Sequence, residues 1–184
     1  MLTIFGRKKV TAERVAHIFS HNIVEIVETG WSDLAGFIND SPEFVQSPEI
    51  TNEDYGKFLM IVLAGNYSYI SQYFNNGMDK QITESITQKL APAFDMTPVE
   101  FSMKLKEYKE TMSRANHPSK NIVYAMSKGV FLKYNLVDFQ EDYFKQMKTP
   151  NPIFLKNLDE FVKNFLWNWE VFNEKYKVVS DSLV

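Results

Sequence analysis

The sequence predicts an all-α protein: a single-domain bundle of about six or seven helices, mostly antiparallel, ending in a long C-terminal helix. Apolar residues recur at spacings of three and four along nearly all of the 184 residues, and the sustained alternation of a half-buried strand is absent. Gly and Pro number only seven each, too few for a fold with many short strands. One domain fits this length, and the modest length of the connections between the predicted helices favours antiparallel packing of neighbouring helices.

The first part of the chain predicts an N-terminal tip, two helices and a long loop. The tip covers residues 1–10, and a long helix is expected over 11–28, with Gly30 as its stop signal. A short helix over 32–39 follows because its apolar residues again show helical spacing. Residues 40–50 are predicted to form the long loop, since two prolines interrupt a polar stretch there.

Capping sequences mark the helix starts in the middle of the chain. Thr51 and Asp54 form an aspartate version of the capping box, and Thr97 with Glu100 forms the standard version beside a proline at the first helical position. Pro118 predicts the start of the next helix. Helical spacing also predicts helices over 79–94 and 138–147.

The last predicted helix follows a proline-containing break at residues 148–153. Its apolar side chains alternate spacings of three and four for more than three heptads, which is typical of a coiled-coil-like seam. This seam is formed by Leu155, Leu158, Val162, Phe165, Trp169, Phe172, Tyr176 and Val179. Two interpretations stay open: a core helix buried between neighbours, or a dimer interface.

Composition limits the functional classes. The chain has no Cys, which excludes a disulfide framework, a thiolate metal site and a cysteine nucleophile. No leader sequence is apparent, and the longest strongly apolar run, Phe58–Ala64, is far shorter than the roughly 20 residues that cross a bilayer. We therefore expect a soluble, cytoplasmic protein without a transmembrane segment.

The charge is distributed unevenly. The net charge of −3 lacks the basic excess of a dedicated nucleic-acid-binding protein, so no nucleic acid is expected as a partner. Between Phe101 and Asn135, however, seven Lys and Arg residues face only two Glu residues. This basic segment either guides an acidic partner or forms one side of a solvated surface.

Two histidines give a weak candidate for a metal site. His17 and His21 lie four residues apart, so their rings project from one face of the first helix, and Glu13, Glu25 and Glu28 are near enough to complete a ligand set. That face lies opposite the apolar stripe, and the alternative is a solvated polar face without metal. The sequence therefore predicts no metal or cofactor and assigns no catalytic residue.

The helix start at Pro118 gives a candidate anion site. Unpaired backbone N–H groups at a helix start favour phosphate or carboxylate. The cationic candidates around it are Arg114, His117 and Lys120. The alternative is that Asn116 or Ser119 helps to cap the helix while the cations remain in water.

Aromatic residues, which number 15 Phe, 9 Tyr and 3 Trp, give a candidate pocket. They cluster on the second long helix and on the last one, where facing rings can line an apolar ligand pocket. The candidate ligand-binding residues are Tyr69, Tyr73 and Trp169. The alternative is that these aromatic side chains form the core.

The functional prediction follows mainly from missing motifs. The sequence contains no phosphate-binding glycine loop, dinucleotide fingerprint or nucleophile elbow. This favours a non-enzymatic protein-interaction or scaffold module that binds an unknown protein partner or itself, as a homodimer through the C-terminal helix. The alternatives are a bundle that binds an apolar or aromatic small molecule, and a metal-dependent enzyme that uses His17 and His21.

Overall fold

The computed structural model describes residues 6–179 and confirms the all-α fold class. Most of these residues are helical, and the strands comprise three residues each. Within the described part of the chain, no helix combines the length and the apolar composition needed to span a membrane. In chain order the elements are β1 (Lys8–Val10), α1 (Ala12–Asn39), α2 (Tyr55–Tyr73), α3 (Met78–Leu90), α4 (Pro98–Asn116), α5 (Ile122–Lys133), α6 (Asp142–Met147), α7 (Pro152–Val162), α8 (Trp169–Lys175) and β2 (Tyr176–Val178).

The described residues form two compact units. The first comprises residues 6–22, 66–102 and 167–179, and the second comprises 23–65 and 103–166. The single domain expected over residues 1–184 stays a prediction, and residues 1–5 of the N-terminal tip lie outside the described residues.

An aromatic cluster and a short sheet define the first unit. Trp169 is 1% exposed, and its ring lies 5.5 Å from that of Phe19 and 5.2 Å from that of Phe74. The parallel pair β1–β2 aligns Lys8 with Tyr176 and continues beyond the strands, where the Val179 N–H donates to the Val10 carbonyl at 2.9 Å. This pair is not predictable from the sequence, because strands of three residues are too short to show an alternating pattern.

Close helix packing and side-chain bridges hold the second unit. Gly65 and Gly129 let neighbouring side chains approach the helix backbones, with a Cβ built at Gly65 lying 2.4 Å from the Met126 sulfur. The Asn39 side chain closes the 40–50 loop, since it accepts from the Ile50 N–H at 2.8 Å and donates to the Ile50 carbonyl at 2.9 Å.

The two predicted capping boxes are present. The Thr51 N–H donates to the Asp54 carboxylate at 3.1 Å, and the Thr97 N–H donates to the Glu100 carboxylate at 2.8 Å. The backbone hydrogen bond from Thr51 is the main reason why the pKa of Asp54 lies below its ordinary value. These helix starts were predictable because the interactions that fix them lie within four residues.

Gly30 does not end the first helix, and α1 continues unbroken to Asn39. Instead, Gly30 makes room for a neighbour, since a Cβ at this position would lie 2.8 Å from the end of the Phe165 ring. The predicted stop and the separate helix over 32–39 are therefore corrected to one continuous helix.

The helix predicted to start at Pro118 begins later. α5 starts at Ile122, because the Asn121 side chain accepts from the N–H groups of Val123 at 3.0 Å and Tyr124 at 3.2 Å. Pro118 belongs to the connection before it, after a cis peptide bond from His117.

The long C-terminal helix is divided, which corrects this part of the prediction. α7 ends at Val162, a 3₁₀ turn follows, and Leu166 is extended before α8. The Trp167 N–H donates to the fully buried Asn66 side chain at 2.7 Å, so this amide is unavailable for a helical hydrogen bond. The seam residues from Leu155 to Phe172 are buried, so they serve the core rather than one continuous exposed surface.

Candidate functional site

A groove open to solvent lies between the C-terminal half of α1 and the end of α7, in the second unit. It consists of two neighbouring depressions of about 430 Å³ and 340 Å³ that share Phe161 and Asn164. We call it the α1–α7 groove. Its lining residues are Glu25, Ile26, Thr29, Gly30, Asp33 and Phe37 on α1, and Asn157, Glu160, Phe161, Asn164 and Phe165 on α7 and the turn after it.

The sequence builds the α1 wall through a repeat of four residues. Glu25, Thr29, Asp33 and Phe37 follow one another at this spacing, so their side chains lie in one row along the helix. None of the four is fully buried, whereas Leu34 beside this row has no exposed surface. The row therefore borders the solvent side of the groove.

α7 provides the opposite wall and runs antiparallel to α1. The Phe37 ring lies 4.7 Å from the Phe161 ring and 5.7 Å from the Phe154 ring, while Gly30 faces Phe165. Residues later in α1 thus contact residues earlier in the segment from α7 to Phe165. The absent side chain at Gly30 lets the Phe165 ring lie directly against α1.

The floor is apolar and partly accessible. Phe161 and Phe37 are half-buried and stacked on each other, and Ile26, which lines one depression together with Phe161, is 37% exposed. Phe165 is buried, with its ring packed edge-on against Phe58 at 4.8 Å. Stacked rings whose positions are fixed by neighbours present apolar surface at little cost in conformational entropy.

The rim is acidic. Glu25, Asp33 and Glu160 line the groove and are exposed, and none of the described residues that line it is cationic. Lys163 forms an ion pair with Glu160 at the edge. After Arg14, α1 contains no Lys or Arg, so the α1 wall has no cation of its own. The groove therefore combines an apolar floor with carboxylates at its rim.

Asp159 lies next to this rim but is turned into the protein. Its Oδ1 atom is buried and has no hydrogen-bond partner in the structure. Burial raises the pKa of Asp159 above its ordinary value, the neighbouring Ser127 hydroxyl opposes the rise, and the charge of Glu160 adds to it.

Replacing Asp159 by Asn is expected to raise the free energy of unfolding by less than about 1 kcal/mol at about pH 7, and to have no such effect at about pH 3. Because the pKa is higher in the folded state, the wild-type carboxyl destabilises the fold increasingly as the pH rises above its unfolded value of 3.8. Urea denaturation at both pH values tests this, with Asp33→Asn, at an exposed aspartate of the same unit, as the control. An equal gain at both pH values would contradict it.

The structure places His17 and His21 one turn apart on the same face of α1. Both are exposed on α1 in the first unit, with nearly parallel rings whose centroids are 6.5 Å apart. Within residues 6–179, no group of three or more His, Asp or Glu residues is positioned to hold a metal ion. The metal-enzyme alternative therefore lacks a ligand set in the described part of the chain.

Arg114, His117 and Lys120 are exposed around the connection between α4 and α5. The helix start that they were expected to share is capped by Asn121, and the Asn116 side chain donates to the Ser119 carbonyl at 3.0 Å. Two N–H groups that an anion would need therefore have a partner within the chain. The capping residue is Asn121 rather than Asn116 or Ser119, and the anion site stays a prediction.

The basic segment is partly neutralised by Glu107. This carboxylate accepts from Lys104 at 2.8 Å and from Lys133 at 2.9 Å, and these hydrogen bonds lower the pKa of Glu107 to about 2. Lys106 also pairs with Glu110 at 3.9 Å. Both Glu residues of the basic segment are thus paired with its own lysines, and the segment keeps its net positive charge.

The aromatic candidates are dispersed in the first unit. Trp169 is enclosed by other rings, Tyr73 is 37% exposed, and Tyr69 is half-buried, with its pKa raised mainly by burial. The rings of Phe19 and Phe74 occupy the space next to Trp169. This packing is the one expected of a core.

The α1–α7 groove was not predicted from the sequence. Of its lining residues, Glu25 was predicted only as a possible metal ligand. A signal was present, since Glu25, Thr29 and Asp33 repeat at four-residue spacing beside an apolar Ile26. The sequence does not show which segment packs against this face of α1, because α7 lies more than 100 residues further along the chain.

Comparison with known proteins gives no match: no family model, no curated protein and no solved structure matches this chain.

Proposed function

We propose that this protein is a protein-interaction module, and that the α1–α7 groove binds an amphipathic helical segment of a partner protein. The observation that carries this proposal is the groove itself, in which accessible aromatic surface and an acidic rim lie between two packed helices. Binding an apolar helix face in a groove between helices is a recurrent mode of peptide recognition.

The dimensions of the groove fit a helix. From Glu25 to Phe37 the α1 wall spans twelve residues, or about 18 Å, which corresponds to about three turns of a partner helix. The two depressions lie on either side of the residues they share, Phe161 and Asn164. Apolar side chains one or two turns apart on a single helix can occupy both.

The open shape favours a protein segment over a small molecule. Small-molecule sites usually enclose most of the ligand surface, whereas this groove is accessible along its length. The carboxylates of Glu25, Asp33 and Glu160 also distinguish it from the apolar pocket that an aromatic ligand requires. A second copy of the chain could occupy the same groove, and the light-scattering measurement below distinguishes such a dimer from binding of a partner protein.

The proposal is tested with a displayed library of random helical peptides of about 18 residues, long enough to form about five turns. Peptides selected on the immobilised wild-type protein are synthesised, and their affinities are compared across variants. Phe161→Ala and Ile26→Ser are expected to weaken binding about tenfold or more, because they remove central apolar contacts. Tyr143→Ala, at an exposed aromatic of the same unit, is the matched control and should leave binding unchanged.

Circular dichroism shows whether each variant is folded. If Phe161→Ala does not fold, Ile26→Ser still tests the proposal. Failure of the library to yield a binder would overturn the proposal, as would peptides that bind every variant equally. Light scattering of the wild type provides the second arm. A concentration-dependent dimer that Ile26→Ser disrupts would assign the groove to a second copy instead of a partner protein.

A further inference from the structure

The short sheet of the first unit concentrates positive charge. Five exposed cations belong to its two strands or directly precede them, whereas residues 6–10 and 175–179 contain no Asp or Glu. We call them the β1–β2 cationic cluster, which consists of Arg7, Lys8, Lys9, Lys175 and Lys177. We propose that this cluster binds the surface of an anionic lipid membrane, independently of the α1–α7 groove, which belongs to the second unit.

The register of the sheet places two of these cations side by side. Lys9 is aligned with Lys177 in the parallel pair, so both side chains project from the same face at the spacing of neighbouring strands, about 5 Å. The next aligned pair, Val10 and Val178, projects from the other face, where Val10 is buried. The alternation along the strands thus directs both lysine side chains to solvent, where both are exposed.

The charge of the aligned lysines is not compensated in the described part of the chain. Among residues 6–179, none of the four lysines of the cluster forms an ion pair. Like charges on neighbouring strands repel each other, so Lys9 and Lys177 weaken the sheet instead of stabilising it. An anionic surface in contact with both side chains removes this repulsion. The pair therefore favours a role in binding over a role in folding.

Arg7 and Lys175 extend the positive charge to the end of α8. The Arg7 side chain donates through Nη1 to the Asn173 backbone carbonyl at 3.1 Å, which holds the guanidinium against the last turn of this helix. Lys175 is the last residue of the same helix. The neighbouring carboxylates along the chain are Glu13, Glu170 and Glu174. Residues 6–14 and 168–179 together hold six Lys and Arg residues against these three, so the net charge remains +3.

The form of the cluster favours a membrane over other anionic partners. Single-stranded nucleic acids are usually bound by cations together with exposed aromatic faces. The one aromatic residue in the two strands, Tyr176, is half-buried, and its ring packs against that of Phe172 at 4.8 Å. A small phosphate ligand needs a concave site, whereas the aligned lysines project from the face of a sheet. A bilayer presents many anionic headgroups in one plane, and each Lys or Arg near it strengthens binding roughly fivefold.

Sedimentation with lipid vesicles tests the proposal. The wild type is expected to bind phosphatidylcholine vesicles that contain about 30% phosphatidylserine, to ignore vesicles of phosphatidylcholine alone, and to be released by high salt. Lys9→Gln/Lys177→Gln should weaken binding about tenfold or more, because it removes the two aligned cations. Lys80→Gln/Lys89→Gln removes two exposed lysines of α3 in the same unit, and this matched control should leave binding nearly unchanged.

Circular dichroism shows whether each variant is folded, and Lys8→Gln/Lys175→Gln repeats the test if the first double variant does not fold. Absence of wild-type binding to the anionic vesicles would overturn the proposal, as would equal losses in the cluster variant and the control variant. Fluorescence anisotropy with labelled oligouridine and a labelled polyglutamate peptide forms the second arm. If either probe binds in a manner that depends on Lys9 and Lys177 while the vesicles do not bind, the cluster serves a nucleic acid or an acidic protein and the membrane proposal is wrong.

Discussion

Replacing Trp169 by Ala is expected to lower the free energy of unfolding by about 3–5 kcal/mol, a large share of the stability of an ordinary domain. The side chain is 1% exposed, and its ring contacts those of Phe19, Phe74 and Phe172 at centroid distances of 5.5, 5.2 and 5.7 Å. Its removal leaves a cavity among rings that cannot fill the space without losing their own contacts. Urea denaturation followed by far-ultraviolet circular dichroism measures the loss.

Two variants make this measurement specific. Val171→Ala changes a residue of the same helix that is 43% exposed, so its effect should stay below about 1 kcal/mol. Trp169→Phe should cost less than Trp169→Ala, because the benzene ring fills part of the space and because it removes a buried indole N–H that has no partner in the structure. A Trp169→Ala loss no larger than that of Val171→Ala would show that the aromatic cluster is not the core of this unit.

The replacement of Gly65 by Ala is expected to lower the free energy of unfolding by about 1–3 kcal/mol, although Ala is the better helix former. The new Cβ would lie 2.4 Å from the Met126 sulfur and 2.8 Å from its Cγ, closer than atoms can approach. Met126 has no exposed surface, so it cannot move aside without displacing other core residues. Gly65 thus permits the close contact between α2 and α5.

Gly56 provides the matched control on the same helix. A Cβ at Gly56 meets nothing within 4 Å, so Gly56→Ala should be neutral or raise stability by up to about 1 kcal/mol. In the background of Met126→Ala, which removes the clashing atoms, the cost of Gly65→Ala should shrink by about 1 kcal/mol or more. Equal effects of Gly65→Ala and Gly56→Ala would contradict the packing described here.

The parts of the fold that depend on local chemistry were predictable from the sequence. Helical spacing gave the all-α class, and the boxes at Thr51 and Thr97 gave two helix starts, because a cap interacts with residues within one turn. The corrected parts depend on distant residues. Gly30 was interpreted as a stop, since the sequence does not show that Phe165 packs against it.

The same reason explains the divided C-terminal helix. Its seam continues through Trp169, so periodicity alone predicts one helix, and the break is made by a hydrogen bond from Trp167 to Asn66, about 100 positions earlier. The groove likewise depends on residues that are distant in the sequence. Its acidic row on α1 is visible in the sequence, but the aromatic residues opposite it belong to α7, and only the fold brings the two together.

The most direct test of the central proposal is a two-dimensional ¹H–¹⁵N NMR titration of the labelled protein with the tightest peptide from the selection. If the α1–α7 groove is the binding site, amide shifts that change and saturate should lie mainly within residues 25–37 and 157–165. The same titration of Ile26→Ser should show much weaker changes at equal peptide concentration. Saturating changes centred instead on the basic segment between Phe101 and Asn135, with the groove amides unmoved, would contradict the proposal.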